Sequence, residues 1–178
     1  RRQRQMCIRD RYAFEPQALN YAELYTNIWL NKLGHKINGY CIALSNTNTI
    51  EYLSLLSMVP GQSHNNYAID IPGQIKQGCA GFALDYLVEK KVIPQPTHIK
   101  IDVDGIESKV IEGGTNTIKN CKTVLVEVEN MEIVNTITKL ISNLPRIFSN
   151  HASELTLIHQ AHISKPVLSF LYTCLLYT

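Results

Sequence analysis

The densest concentration of chemically active side chains is the string Ile99-Lys100-Ile101-Asp102-Val103-Asp104-Gly105-Ile106-Glu107. Three carboxylates crowd what reads as the end of a strand and the start of a helix. Such a cluster can hold a proton acceptor or a cation, and Gly105 permits the tight turn between the two elements. The ordinary alternative is helix capping by Asp104, with Glu107 completing a capping box. Asp102 lies within the strand and caps less easily. A second acidic position is Glu15 in Phe14-Glu15-Pro16. A carboxylate at the carboxyl end of a strand can accept hydrogen bonds from both hydroxyls of a ribose, or can simply favour the first turn of a helix through the helix dipole. The third is Glu127, with Glu129, in LVEVEN. A charge near the end of a buried strand needs a partner, so it marks either a site or a buried ion pair.

Other constellations are weaker. His159 and His162 have helical spacing but no third ligand, and no metal site is expected. Ser63, His64 and Asn65 fall in a loop. No nucleophile elbow, phosphate-binding P-loop or Gly-x-Gly motif occurs. The five cysteines, Cys7, Cys41, Cys79, Cys121 and Cys174, include no Cys-x-x-Cys and suggest neither a disulfide framework nor zinc.

The elements that must position these residues alternate. Tyr12–Phe14 reads as the end of a strand. A helix follows, with Pro16 in its first turn, a stripe of Ala18, Ala22, Tyr25, Trp29 and Leu33 facing the core, and Gly34 as a left-handed cap. Residues 37–44 read as a strand. Ile50–Leu56, a Pro60-Gly61 turn and Tyr67–Ile71 read as a hairpin-like insert. Phe82–Val92 is an amphipathic helix with Leu84, Leu87 and Val88 inward, and His98–Val103 is a strand with Ile99, Ile101 and Val103 on one face. Ile106–Asn120 is a helix broken at Gly113-Gly114. Thr123–Val128 is β-branched and apolar, as in a central parallel strand. Met131–Leu144 reads as a helix and Leu155–Ile158 as a late strand. This alternation predicts an α/β fold with a doubly wound sheet.

The chain has 178 residues, 45% hydrophobic and 18% charged, which suits one globular domain. Its net charge of +2 is local. Residues 1–11 hold five arginines and one aspartate, so taking their +4 from the total leaves −2 for the rest. The body therefore offers no electrostatic case for nucleic acid. No apolar run is long enough to cross a bilayer, and no secretory signal is visible, so no membrane partner and a cytoplasmic location are expected. RQMCIRDR at one end and LYTCLLYT at the other resemble translated sequencing-adapter read-through. Residues 1–11 and 166–178 are accordingly expected to be non-native, with the domain proper at 12–165.

Taken in order, AFEPQALNYAELYTNIWLN, INGYCIALSN, THIKIDVDGIESKVIEGG and TVLVEVEN resemble the FkbM-type methyltransferase family. The resemblance covers roughly residues 12–160. It implies a Rossmann-like doubly wound sheet of the class I methyltransferase type and S-adenosylmethionine as cofactor. It also implies a small-molecule acceptor, O-methylated at a hydroxyl, on a sugar or similar compound. By this resemblance Glu15 binds the cofactor ribose, and Ala43, Leu44 and Ser45 lie where the chain passes the adenine. Asp102 stands beside the methionine moiety and the reacting methyl. Asp104 takes a position where the family usually has glutamate, one methylene longer. Glu107 and Glu127 match acidic positions toward the acceptor, and Asp102 with Asp104 are the catalytic candidates. The family's first strand and glycine-rich loop precede Phe14-Glu15-Pro16. Here the Arg-rich segment takes their place. The chain is thus expected to be N-terminally truncated, to bind cofactor poorly and to be inactive as it stands. The edges of the second and fourth strands are expected to be left unpaired. The rival enzyme reading is a metal-dependent glycosyltransferase, with Asp102-Val103-Asp104 as a D-x-D cation grip. The non-enzyme reading is an inactive Rossmann-like module.

Overall fold

A computed structural model of the chain describes residues 11–59, 61, 65–128, 147–151 and 174–177. Among them the fold is mixed α/β, with two sheets. The main sheet contains β1 (Arg11–Phe14), β2 (Ile37–Tyr40), β7 (His98–Ile101), β8 (Thr123–Val128), β9 (Ile147–His151) and β10 (Cys174–Tyr177), in the order β2-β1-β10-β7-β8-β9. The second sheet contains β3 (Ala43–Ser45), β4 (Thr49–Leu55), β5 (Asn66–Tyr67) and β6 (Ile75–Ala83), in the order β3-β6-β4-β5. Among the described residues no helix is long and apolar enough to cross a membrane.

β1 runs parallel to β2, and β7, β8 and β9 run parallel to one another. β10 is antiparallel to both β1 and β7 and joins the two groups. β1 and β7 therefore point the same way, and their carboxyl ends share one edge of the sheet. Residues 174–177, set aside on sequence grounds, thus pair with both strands whose edges were expected to be open.

Successive residues of a strand face opposite ways, and β1 uses both sides. Ala13 packs with Leu24 and Ile28 of α1 (Ala18–Leu30), whereas Phe14 joins the larger core with Ile99, Ile101, Val124 and Val126. The inward face of α1 is thus Asn20, Leu24 and Ile28, at steps of four. Of the expected stripe, Ala18, Ala22, Tyr25 and Trp29 face outward, with Tyr25 55% exposed and Trp29 74%, and only Leu33, past the helix end, packs against the inner cluster. The helix carries apolar residues on both faces, and the cluster formed by Ala13 and Ile37 selects the leaner one. Gln17 caps α1 by accepting from the Asn20 N–H, which leaves Pro16 just outside the helix. The left-handed residue after α1 is Lys32 (φ 56°), where Gly34 was expected.

Residues 37–44 divide at Cys41-Ile42 between the two sheets, where one strand was expected. The insert is larger than a hairpin. Its centre, β6, pairs antiparallel with β4 and parallel with β3. Because β6 runs through Ala83, α2 (Leu84–Glu89) begins two residues later than expected, with Leu84 and Leu87 buried. α3 (Glu107–Gly113) and α4 (Thr115–Lys119) are separated at Gly114. Asp85 of α2 closes the start of α4, accepting from the N–H groups of Asn116 and Thr117 at 2.9 and 2.7 Å. At Gly113 a Cβ would overlap the Ser45 carbonyl, so only glycine lets α3 lie against β3. The helix expected at 131–144 and the strand expected at 155–158 lie outside the described residues.

Candidate functional site

The carboxyl ends of β1 and β7 meet β3 and the β4–β5 connection around a cavity of about 40 Å³. Its lining includes Glu15, Ala43, Leu44 and Asp104, four of the residues expected at the site, together with Asn20, Asn65 and Tyr67. Asn65 N–H donates to Asp104 Oδ2 at 3.0 Å, and Gly61 N–H donates to Asn20 Oδ1 at 2.7 Å. The β4–β5 connection is thereby tied to the turn after β7 on one side and to α1 on the other.

Glu15 is the unusual group. It is 3% exposed. One carboxylate oxygen, Oε1, accepts from the Gln17 N–H at 2.9 Å, and the other, Oε2, is buried with no hydrogen-bond partner. Burial pushes its pKa from 4.5 up to about 7, the Gln17 N–H opposes this, and the nearby charge of Asp104 adds to it. A buried carboxylate with an unused oxygen is costly.

The structure places the other expected residues elsewhere. Asp102 is buried and turns to the side of β7 that carries Lys100, whose Nζ lies 2.5 Å from Asp102 Oδ2 and 3.6 Å from Glu127 Oε2. Burial lowers the Lys100 pKa, but the two carboxylates more than offset that and leave it raised. Glu127 is half exposed, so the premise of a buried charge at the end of β8 does not hold, although the ion pair does. Asp102 and Asp104 thus turn to different partners. Capping of α3 by Asp104 is not what forms: the cap residue is Ile106, with no side-chain cap bond. Glu107 is fully buried, and its Oε1 accepts from the N–H of Gly105, whose φ is +81°. Ser45 is buried in β3, its hydroxyl 3.4 Å from Asn46 Oδ1. Ser63, His64, Glu129, His159 and His162 lie outside the described residues.

Three residues at or near the site carried little signal in the sequence. Asn20 reads as an ordinary helix surface position, and Tyr67 as a hairpin aromatic. Gln77 sits in a glycine-bearing stretch that does not look like a strand. Its carboxamide nevertheless reaches the segment beside Glu15, accepting from Ala18 N–H at 2.9 Å and donating to the Pro16 carbonyl at 2.8 Å.

Fold and site together define an α/β domain with acidic residues gathered at the carboxyl edge of its parallel strands. Residues 1–155 match the methyltransferase FkbM domain, and the chain belongs to that family. Among curated proteins it is similar to the hexuronic acid methyltransferase AglP of Haloferax volcanii, with 38% identity over 58 residues. That stretch is 33% of this chain and 24% of the relative, so the match spans about a quarter of the relative's length. No solved structure matches the chain.

Proposed function

We propose that this domain transfers a methyl group from S-adenosylmethionine to a hydroxyl of a small sugar-like acceptor, on a Rossmann-like doubly wound scaffold. The observation that carries the reading is Glu15: a buried carboxylate with one unpartnered oxygen, lining a cavity at the sheet's carboxyl edge. A ribose offers two adjacent O–H donors, and about 40 Å³ is room for one or two water-sized groups. The residues present therefore fit the ribose edge of the cofactor, with Ala43 and Leu44 as its apolar neighbours on the adenine side. The family match supports the methyl-transfer chemistry, and the relative's hexuronic acid supports a sugar-class acceptor.

Bound there, the cofactor supplies a methyl already activated on a sulfonium. The chain's own task is to align an acceptor oxygen and to take its proton. Asp104, in the same cavity as Glu15, is one proton acceptor we propose. Asp102 is the other, with Lys100 orienting it. Glu107 fixes the Gly105 turn that follows them, and Glu127 shares Lys100 on the acceptor side.

The test is calorimetric titration of the 178-residue chain with S-adenosylhomocysteine, beside Glu15→Ala. Weak binding that Glu15→Ala weakens further, about tenfold or more for the loss of charge-assisted hydrogen bonds, is expected. Absence of wild-type binding, or equal binding by both proteins, overturns the reading.

A further inference from the structure

The Glu15 carboxylate is only as well placed as the turn Glu15-Pro16-Gln17 that carries it, since its Oε1 is held by the Gln17 backbone N–H. Pro16 has no N–H to anchor that turn. Ala18 begins α1, where backbone donors have no partner within the helix. One side chain serves both of these positions. Gln77, on β6 of the second sheet, donates through Nε2 to the Pro16 carbonyl and accepts through Oε1 from the Ala18 N–H. The two bonds fix which end of the carboxamide is which, because only this orientation satisfies both groups. They reach across 61 and 59 residues of sequence and bracket Gln17 on either side. The turn's entry is held by Glu15 N–H donating to the Tyr40 carbonyl at 3.1 Å, and Cys41 Sγ makes a long 4.0 Å contact with the Pro16 carbonyl; the remaining fastenings hold neighbouring elements, with Gln17 capping Asn20 and Asn20 holding Gly61.

We propose that Gln77 is the positioning residue for Glu15, clamping the β1–α1 turn so that the carboxylate stays buried and aimed into the cavity. The proposal rests on the reading of Glu15 as the ribose-binding group, but its first measurement needs no ligand. Without the clamp the turn moves outward and water reaches the carboxylate, and the ionisation of Glu15 reports that movement. The titratable groups facing Glu15 are Asp104 from the β7–α3 turn, whose charge raises the Glu15 pKa, and Cys41 between β2 and β3 and Cys79 on β6, whose own pKa values the Glu15 charge raises. None of them is altered by a change at position 77.

The experiment follows the Gln17 amide by proton–nitrogen correlation spectroscopy from pH 4 to 9, because that N–H is bonded to Glu15 Oε1. Wild type and Gln77→Met, which keeps bulk but neither hydrogen bond, are compared, with Gln77→Ala as the alternative if the methionine variant does not fold. Both variants are uncharged, so neither adds a titrating group beside Glu15. The expected result is a midpoint lowered by about one pH unit or more toward the ordinary carboxylate value. Affinity for S-adenosylhomocysteine should fall about tenfold alongside it. A lower melting temperature with an unmoved Gln17 midpoint overturns the proposal and leaves Gln77 as a strut between the sheets. A shifted midpoint in a chain that binds no S-adenosylhomocysteine sustains the positioning role and overturns the ribose reading alone.

Discussion

Replacing Glu15 with glutamine should stabilise the protein, by an amount that grows as pH rises from 4.5 to about 7 and is then constant. Glutamine mimics the protonated acid: its carbonyl can still accept from the Gln17 N–H, and its amide occupies the place of the unpartnered oxygen. The folded-state pKa of Glu15 is raised to about 7 from an ordinary 4.5. Between those values the folded protein keeps a proton that the unfolded chain has shed. Stability from this group is thus fully present below pH 4.5 and is lost as pH rises toward 7. Each unit of displacement is worth about 1.4 kcal/mol, so the loss reaches about 3 kcal/mol and then levels off. Glutamine does not titrate and escapes it. For a chain of this size 1 kcal/mol moves the melting temperature by roughly 2–4 °C, so Glu15→Gln should melt about 10 °C above wild type at pH 8. At pH 4.5 the two should melt almost together. Thermal melts of both proteins at half-unit steps from pH 4.5 to 8 give the difference curve. A difference that stays flat with pH, or a glutamine variant that is the less stable at pH 8, would refute the assignment of a buried, ionisable Glu15. The same variant should lose affinity for S-adenosylhomocysteine, and a substitution that gains stability while losing ligand is the signature of a binding residue.

The remaining predictions concern the scaffold. Ile28→Ala should cost about 3 kcal/mol in urea unfolding by opening the α1–β1 contact, whereas Trp29→Ala should change stability by less than about 0.5 kcal/mol; the reverse order would restore the outer stripe as the packed face. Gly113→Ala should destabilise by about 1–3 kcal/mol, because its methyl meets the Ser45 backbone and not a side chain that can turn aside, and unchanged unfolding would mean that α3 and β3 lie further apart. Deleting residues 174–178 removes the strand that pairs with both β1 and β7; the melting temperature should fall and size-exclusion chromatography should show association through the opened edges. A deletion variant as stable and as monodisperse as the parent would set β10 outside the fold.

What the sequence shows of the fold depends on how many partners each segment has. β7 is legible because Ile99 and Ile101 alternate with polar residues, and β8 because β-branched residues dominate it. The inward face of α1 is not, since Ala18, Ala22, Tyr25 and Trp29 make as good a stripe as Leu24 and Ile28. The choice is made by Ala13 and Ile37, which lie on other elements. β6 is hidden by Gly78 and Gly81, residues that strands disfavour, and Gly81 is required because the Tyr67 hydroxyl lies directly over it. At the site, Glu15, Ala43, Leu44 and Asp104 line one cavity. The separation of Asp102 from Asp104 could also have been read. Ile99 and Ile101 share one face of β7, which ends at Ile101 and not at the expected Val103; Lys100 and, just past the strand, Asp102 take the other, while Asp104 lies further on beside a left-handed glycine. The clamp by Gln77 could not have been read, because no local pattern marks a partner about 60 residues away.

Glu15 and Asp102, both buried carboxylates, differ in how their charge is met, and that difference separates a ligand-facing group from one already satisfied. Asp102 has the Lys100 ammonium beside it, so its charge is balanced from within the chain. Glu15 has one backbone N–H for two oxygens and a second carboxylate nearby, which leaves the ionised form deficient in donors. A fold whose net stability is of order 10 kcal/mol carries a penalty of about 3 kcal/mol there. Two hydroxyl donors in the cavity would remove most of it by hydrogen-bonding the exposed lone pairs. The ligand's affinity would then come in part from relief of a strain already present in the free protein. Binding should therefore expel the proton from Glu15 and tighten as pH rises from 5.5 to 7.5. It should also raise the melting temperature more at pH 7.5 than at pH 5.5 for the same S-adenosylhomocysteine concentration. Equal thermal shifts at the two pH values would mean that the ligand meets Glu15 in its neutral form, with the penalty left in place.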